Sequence, residues 1–150
     1  ERPIQIDRQR PEVVGEASAL LDISSAAGGV SEAGLRGSIR LSLHYLAAWL
    51  RGEGAVVIDS LIEDTATVEV ARAQLWQWTH NGMVLDTGRK VDADFVDQLI
   101  AGEADAIRRE IGDVAYAAGR YVTACELLTQ VSTSEEFPEF LTLPGLALID

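Results

Sequence analysis

Two adjacent carboxylates, Glu63 and Asp64, followed by Thr65-Ala66-Thr67, stand at the threshold of an apolar-periodic stretch. A carboxylate held within reach of an acidic C–H bond is what general-base chemistry uses. The same residues also have a purely structural use: Asp64 or Thr65 can cap a helix N-terminus, and Glu63 or Glu69 can complement its dipole. The apolar approach, Val56-Val57-Ile58 and then Leu61-Ile62, puts the pair just beyond a stretch expected to be buried. Burial favours the neutral acid and a helix N-terminus favours the carboxylate, and the sequence leaves that contest open.

Other chemistry has less support. His44 and His80 are far apart in the chain, and neither has a second ligand at a metal spacing such as i, i+4. No nucleophile elbow accompanies them for Ser-His-Asp catalysis. Cys125 is the single cysteine and lies in an apolar-periodic stretch, which predicts a packed thiol without an internal disulfide. The Gly28-Gly29 pair lacks the spacing and the Lys-Ser/Thr ending of a phosphate loop and reads as linker.

The elements that must position Asp64 follow from periodicity. Residues 1–30 read as an irregular lead-in, broken by Pro3, Pro11, Gly15 and the run Ser24-Ser25-Ala26-Ala27-Gly28-Gly29, with a short apolar turn at Ala19-Leu20-Leu21-Asp22-Ile23. Ser31 then caps an amphipathic helix whose apolar face is Leu35, Ile39, Leu43, Leu46 and Leu50, ending at Gly52. The run Gly54 to Ser60 is expected to be extended, and Leu61 to Thr67 leads into a second helix closed by His80-Asn81-Gly82. A third helix is predicted from Asp92 or Asp94 to Gly112. A fourth runs from about Gly119 to Val131 with Tyr121, Cys125, Leu128 and Val131 inward, and the end, Ser134 to Gly145, reads as a short helix stopped by Pro144. The expected fold class is all-α: a lead-in over residues 1–30, then a compact domain of four to five helices over residues 31–150. Trp76 and Trp78, two positions apart in the second helix, cannot share a face, so at least one is expected to meet another surface.

The chain has 150 residues and a formal charge of −12, with one lysine, Lys90. Such a balance disfavours nucleic acid or an anionic membrane as partner, because both are bound through clustered Lys and Arg. Arg36, Arg40 and Arg51 fall on or beside the first long helix and read as a solvated face, which leaves a coenzyme-phosphate site without support. No apolar run approaches the ~20 residues that span a bilayer, and the opening residues carry no signal-peptide apolar core. The expectation is a cytoplasmic protein.

Three stretches carry a resemblance. They are Gly37-Ser38-Ile39-Arg40 through Tyr45-Leu46-Ala47-Ala48-Trp49-Leu50-Arg51-Gly52-Glu53-Gly54; Leu61-Ile62-Glu63-Asp64-Thr65-Ala66-Thr67 with the downstream Arg72-Ala73-Gln74-Leu75-Trp76-Gln77-Trp78; and Glu139-Phe140-Leu141-Thr142-Leu143-Pro144-Gly145. In order and spacing, from about Leu20 to Asp150, the chain resembles the C-terminal region of the malate synthase family, A-type isoform. Ser38, Ala55, Val57 and Ile62 depart from that family's usual residues, and none of these departures removes the carboxylate.

The resemblance implies a reaction: acetyl-CoA condenses with glyoxylate and the thioester is hydrolysed to malate and CoA, with Mg²⁺ as cofactor. It also implies a fold, a TIM barrel whose mouth is covered by a helical C-terminal domain. Asp64 corresponds to the family's catalytic base, which takes a proton from the acetyl methyl group. A barrel needs roughly 200 residues and an alternating strand-helix pattern, which this chain lacks. The family's metal-binding acids and its enolate-stabilising arginine belong to the barrel, so none is assigned here and no metal ligand is expected on this chain. The chain is expected to be an incomplete part, inactive alone, with the barrel of the same polypeptide as its partner. The competing expectation is a non-catalytic acidic interaction module that binds a partner through an exposed Trp76 or Trp78.

Overall fold

Ser31 opens the first long helix as its composition requires: its backbone is extended and its Oγ accepts from the Gly34 N–H at 3.1 Å. In the computed structural model, which describes residues 4–22 and 28–149, this helix is α2 (Glu32–Trp49), preceded by the short α1 (Ala17–Leu21). A hairpin of β1 (Ala55–Ile58) and β2 (Leu61–Asp64) follows, then α3 (Thr65–His80), α4 (Ala93–Ile111), α5 (Asp113–Ala118), α6 (Tyr121–Thr133) and α7 (Thr142–Leu146). The all-α expectation holds, with four long helices carrying the core and the two-stranded hairpin added to them. Of the lead-in, residues 23–27 lie outside the described residues, so the apolar turn and the small-residue run predicted there are described only in part. No residue of α1 is buried.

Helix α2 is the centre of the domain, with α3, α4 and α6 packed around it and β1 lying against it. The expected stripe Leu35, Ile39, Leu43, Leu46 and Leu50 is fully buried, and so are Tyr45, Ala47 and Ala48. Burial nearly all round in the C-terminal half is what a helix enclosed by three others shows. The opposing surfaces supply Val68 and Leu75 of α3, Phe95, Val96, Leu99, Ile100 and Ile107 of α4, and Ala124, Leu127, Leu128 and Val131 of α6.

Asp92 caps α4 through a 2.9 Å bond from the Phe95 N–H, and Gly112 ends it at φ +84°, a conformation that favours glycine. Beyond Gly112 lies a helix the periodicity did not predict, α5, six residues with none buried. Tyr116 alone packs from it against the core, and one contact makes no periodic signal.

Three expectations need correction. Leu61 to Asp64 is a strand, because the Asp59-Ser60 turn folds it back onto β1. In α6 the buried stripe is Ala124, Leu127, Leu128 and Val131, whereas Tyr121 and Cys125 are half-buried at its margin under Tyr116. Residues 134–141 are irregular, and Pro144 lies inside the first turn of α7, where its missing N–H would have had no helical partner in any case. Gly145 makes that last turn fit: a Cβ there would lie 2.8 Å from the Trp49 ring and 3.2 Å from Leu127.

Candidate functional site

The hairpin that carries Asp64 forms because a β-branched run meets a tight reversal. Ala55 pairs with Asp64, Val56 with Glu63, Val57 with Ile62 and Ile58 with Leu61 in an antiparallel ladder. The two turn residues both have positive φ, Asp59 at 49° and Ser60 at 69°, the signature of the reversal that matches strand twist. Side chains alternate across the ladder, so Val56, Ile58, Leu61 and Glu63 share one face and Ala55, Val57, Ile62 and Asp64 the other. On the first face Ile58 and Glu63 are buried and Val56 packs against the core. On the second, Val57 is 69% and Ile62 79% exposed. Asp64 therefore stands at the end of an apolar surface that none of the described residues covers.

Asp64 is also the N-cap of α3. Its Oδ1 accepts from the Ala66 N–H at 2.9 Å and, more weakly, from the Thr67 N–H at 3.4 Å. Oδ2 has no hydrogen-bond partner among the described residues. The structural use of the carboxylate and an exposed, oriented oxygen thus coexist, since capping engages one oxygen of the two.

Other groups hold the hairpin and the helix behind it. The Tyr45 hydroxyl, buried in α2, donates to the Gly54 carbonyl at 3.0 Å and lies 2.6 Å from Thr65 Oγ1. On α3, Arg72 is 1% exposed and reaches Glu69 at 2.6 Å, the Pro138 carbonyl at 2.7 Å and the Glu139 carbonyl at 3.2 Å, with its guanidinium over the Phe137 ring. Glu69 uses its other oxygen on the Leu141 N–H at 2.8 Å. Sequence reasoning missed this cluster, although it left a trace: Arg72 falls in the apolar series Val68, Arg72, Leu75, with Glu69 three residues before it.

The tryptophans are occupied by the domain itself. Trp76 donates to the Ser134 carbonyl at 2.9 Å and stacks on His80, while Trp78 packs against the core. Both are partly buried, so neither is the exposed contact on which the interaction-module reading stands.

A cleft of ≈ 280 Å³ opens beside β1, lined by Arg40, His44, Arg51, Asp59 and Tyr121 among others. Its cations are engaged: Arg40 pairs with Glu110 at 2.5 Å, and Arg51 with Glu53 at 2.8 Å and with the Ala47 and Gly119 carbonyls. Arg36, expected to be solvated, bridges Glu32 and Glu103. His44 Nδ1 lies 3.0 Å from the Tyr121 hydroxyl, and burial, helped by the nearby Arg40 charge, lowers its pKa below the usual value. His80 sits at the far end of α3, about 24 Å along the axis from Asp64 at 1.5 Å per residue. Among the described residues no three His, Cys, Asp or Glu side chains converge as metal ligands.

A family model described as "Malate synthase, C-terminal" matches residues 29–149. The chain belongs to that family. Relatives of this malate synthase C-terminal domain include a malate synthase from Streptomyces clavuligerus, 46% identical over 145 residues that cover 97% of this chain and 27% of the relative. Malate synthase A of Escherichia coli K12 is 39% identical over 119 residues, 79% of this chain and 22% of that protein. A bifunctional glyoxylate cycle protein from Caenorhabditis elegans is 44% identical over 112 residues, 75% of this chain and 11% of that protein. The chain thus spans about a quarter of the length of the two malate synthases. In such relatives the domain is part of a larger polypeptide, which gives it a same-chain partner. No helix among its described residues is long and apolar enough to cross a membrane.

Proposed function

We propose that the polypeptide to which this domain belongs is a malate synthase and that Asp64 is its general base. The observation that carries the reading is the position of Asp64, capping α3 through one oxygen at the edge of the uncovered face Ala55, Val57 and Ile62. When a barrel mouth covers that face, the carboxylate is taken out of water together with its substrate, which strengthens its electrostatic interactions with the reacting centre. Val57 and Ile62, each more than 60% exposed, are the contact this face of the hairpin offers.

The chemistry assigned to this chain is one proton transfer. Oδ1 is held by two backbone N–H groups, which fixes the plane of the carboxylate, and Oδ2 takes a proton from the methyl carbon of acetyl-CoA. The C–H electron pair becomes that of the enolate. Its carbon bonds to the aldehyde carbon of glyoxylate as the C=O pair moves to oxygen. That alkoxide takes up a proton equivalent to the one Asp64 removed, so that the base is regenerated, and water cleaves the thioester to give malate and free CoA. The Mg²⁺ this reaction uses is assigned to the rest of the polypeptide. A cytoplasmic compartment belongs to the same proposal; a relative from Brassica napus is named glyoxysomal, so fractionation of the source cells is the test.

The function is tested by measuring glyoxylate-dependent release of CoA thiol from acetyl-CoA with the full-length polypeptide and with residues 1–150 alone. Turnover by the full-length protein and none by the isolated domain supports the proposal. Absence of turnover in the full-length protein overturns it.

A further inference from the structure

The hairpin that bears Asp64 has two attachments to the helical body that follow from chain continuity: Gly54 where β1 begins and Thr65 where α3 begins. Both meet at one atom. Tyr45, with no exposed surface, presents its hydroxyl to the Gly54 carbonyl at 3.0 Å and to Thr65 Oγ1 at 2.6 Å. The proton directions follow from the inventory of donors. A carbonyl only accepts, so the single phenolic proton goes to Gly54, and the Thr65 hydroxyl donates its own proton to the Tyr45 oxygen. One buried oxygen thus joins the entry of the hairpin to the residue that follows Asp64.

We infer that Tyr45 is a positioning residue for the reaction: its hydroxyl sets where Asp64 stands relative to the helical body by clamping Gly54 and Thr65. This rests on the reading of Asp64 as base. Beyond this clamp the hairpin meets the helical body through the apolar packing of Val56 and Ile58, which holds it there but sets no direction. Val57, Leu61 and Ile62 are exposed, and its turn is made of two non-glycine residues at positive φ. Asp64's own side-chain hydrogen bonds tie it to Ala66 and Thr67, which fixes it to α3 and not to α2. Without the phenolic oxygen, the Gly54 carbonyl and the Thr65 hydroxyl lose their shared partner, and the base of the hairpin, still paired at Ala55 and Asp64, can shift against α2. Proton transfer from carbon depends on sub-ångström placement, so the loss appears in turnover more than in substrate affinity.

The test uses the full-length polypeptide with Tyr45→Phe, which keeps the buried ring, and independently Thr65→Val and Thr65→Ser. Expected are kcat values lowered on the order of tenfold to a hundredfold for Tyr45→Phe and Thr65→Val. KM for both substrates should stay within about twofold, Thr65→Ser should keep the parent turnover, and the double variant should be no slower than the slower single one. A Tyr45→Phe protein with parental kcat and merely a lower melting temperature overturns the inference, because it shows a structural role alone. Asp64→Asn is run beside them: if it abolishes turnover while Tyr45→Phe keeps the parental kcat, the base reading stands and the positioning role falls. If Asp64→Asn keeps its turnover, there is no base to position and both fall.

Discussion

The Arg72 guanidinium donates to the main-chain carbonyl of Pro138 at 2.7 Å, from a side chain with 1% of its surface exposed. Through this bond, and through Glu69 on the Leu141 N–H, the middle of α3 holds the irregular segment that leads to α7. A fully buried cation is tolerated because every direction is answered: a carboxylate, two carbonyls and an aromatic face.

Arg72→Met is therefore expected to destabilise the domain by about 3–5 kcal/mol, since it leaves Glu69 and two carbonyls without their donor. Arg72→Lys should recover only part of this, because an ammonium cannot span the carboxylate and both carbonyls at once. Urea unfolding midpoints read both effects. A midpoint for Arg72→Met equal to the parent's would contradict the assignment.

Gly145 is expected to reject even a methyl group. The added carbon would lie 2.8 and 3.0 Å from two atoms of the Trp49 ring and 3.2 Å from Leu127, all in packed surroundings. Gly145→Ala should cost about 1–3 kcal/mol, the usual range for an overfilled core. Thermal unfolding and the near-ultraviolet signal of the tryptophans report it, and an unchanged melting temperature would mean that α7 docks more loosely than described.

His44 gives the fold a pH dependence of defined sign. Burial, then the Arg40 charge, lowers its folded pKa, while Asp59 and Glu110 act in the other direction. The unfolded chain therefore binds the proton first as pH falls. Its contribution is complete above the ordinary value near 6.5 and is lost as pH falls through the lower folded value. Compared at each pH with His44→Gln, the parent should lose stability faster as pH falls below the ordinary value near 6.5. Stability curves that stay parallel through that window would show that His44 does not titrate differently in the fold.

Much of the scaffold was legible in the residues because it rests on local signals. Ser31, Asp64 and Asp92 cap three helices, Gly112 ends one, and the series Leu35 to Leu50 marks the central face. The second strand was missed for a physical reason. Leu61-Ile62-Glu63-Asp64 has no alternation between buried and exposed apolar residues, and its reversal uses Asp59-Ser60 in place of the Asn-Gly or Asp-Gly that marks such turns. The 134–141 segment was misread as helix because the bonds that hold it come from Arg72, Glu69 and Trp76, far away in the chain. At the proposed site, Asp64 was legible from its motif. Its clamp was not, because a tyrosine in an apolar series reads as core until its hydroxyl is seen between Gly54 and Thr65.

The central claim is that Asp64 removes the proton, and its most direct measurement is turnover of the full-length polypeptide carrying Asp64→Asn. Release of CoA thiol from acetyl-CoA in the presence of glyoxylate is followed beside the parent, with circular dichroism to confirm that the helical domain is retained. The amide keeps a cap acceptor for the Ala66 N–H but cannot take a proton as a base, so the fold should survive while kcat falls by about 10²- to 10⁴-fold. A folded variant that turns over at the parent's rate would contradict the account and leave Asp64 as a helix cap alone.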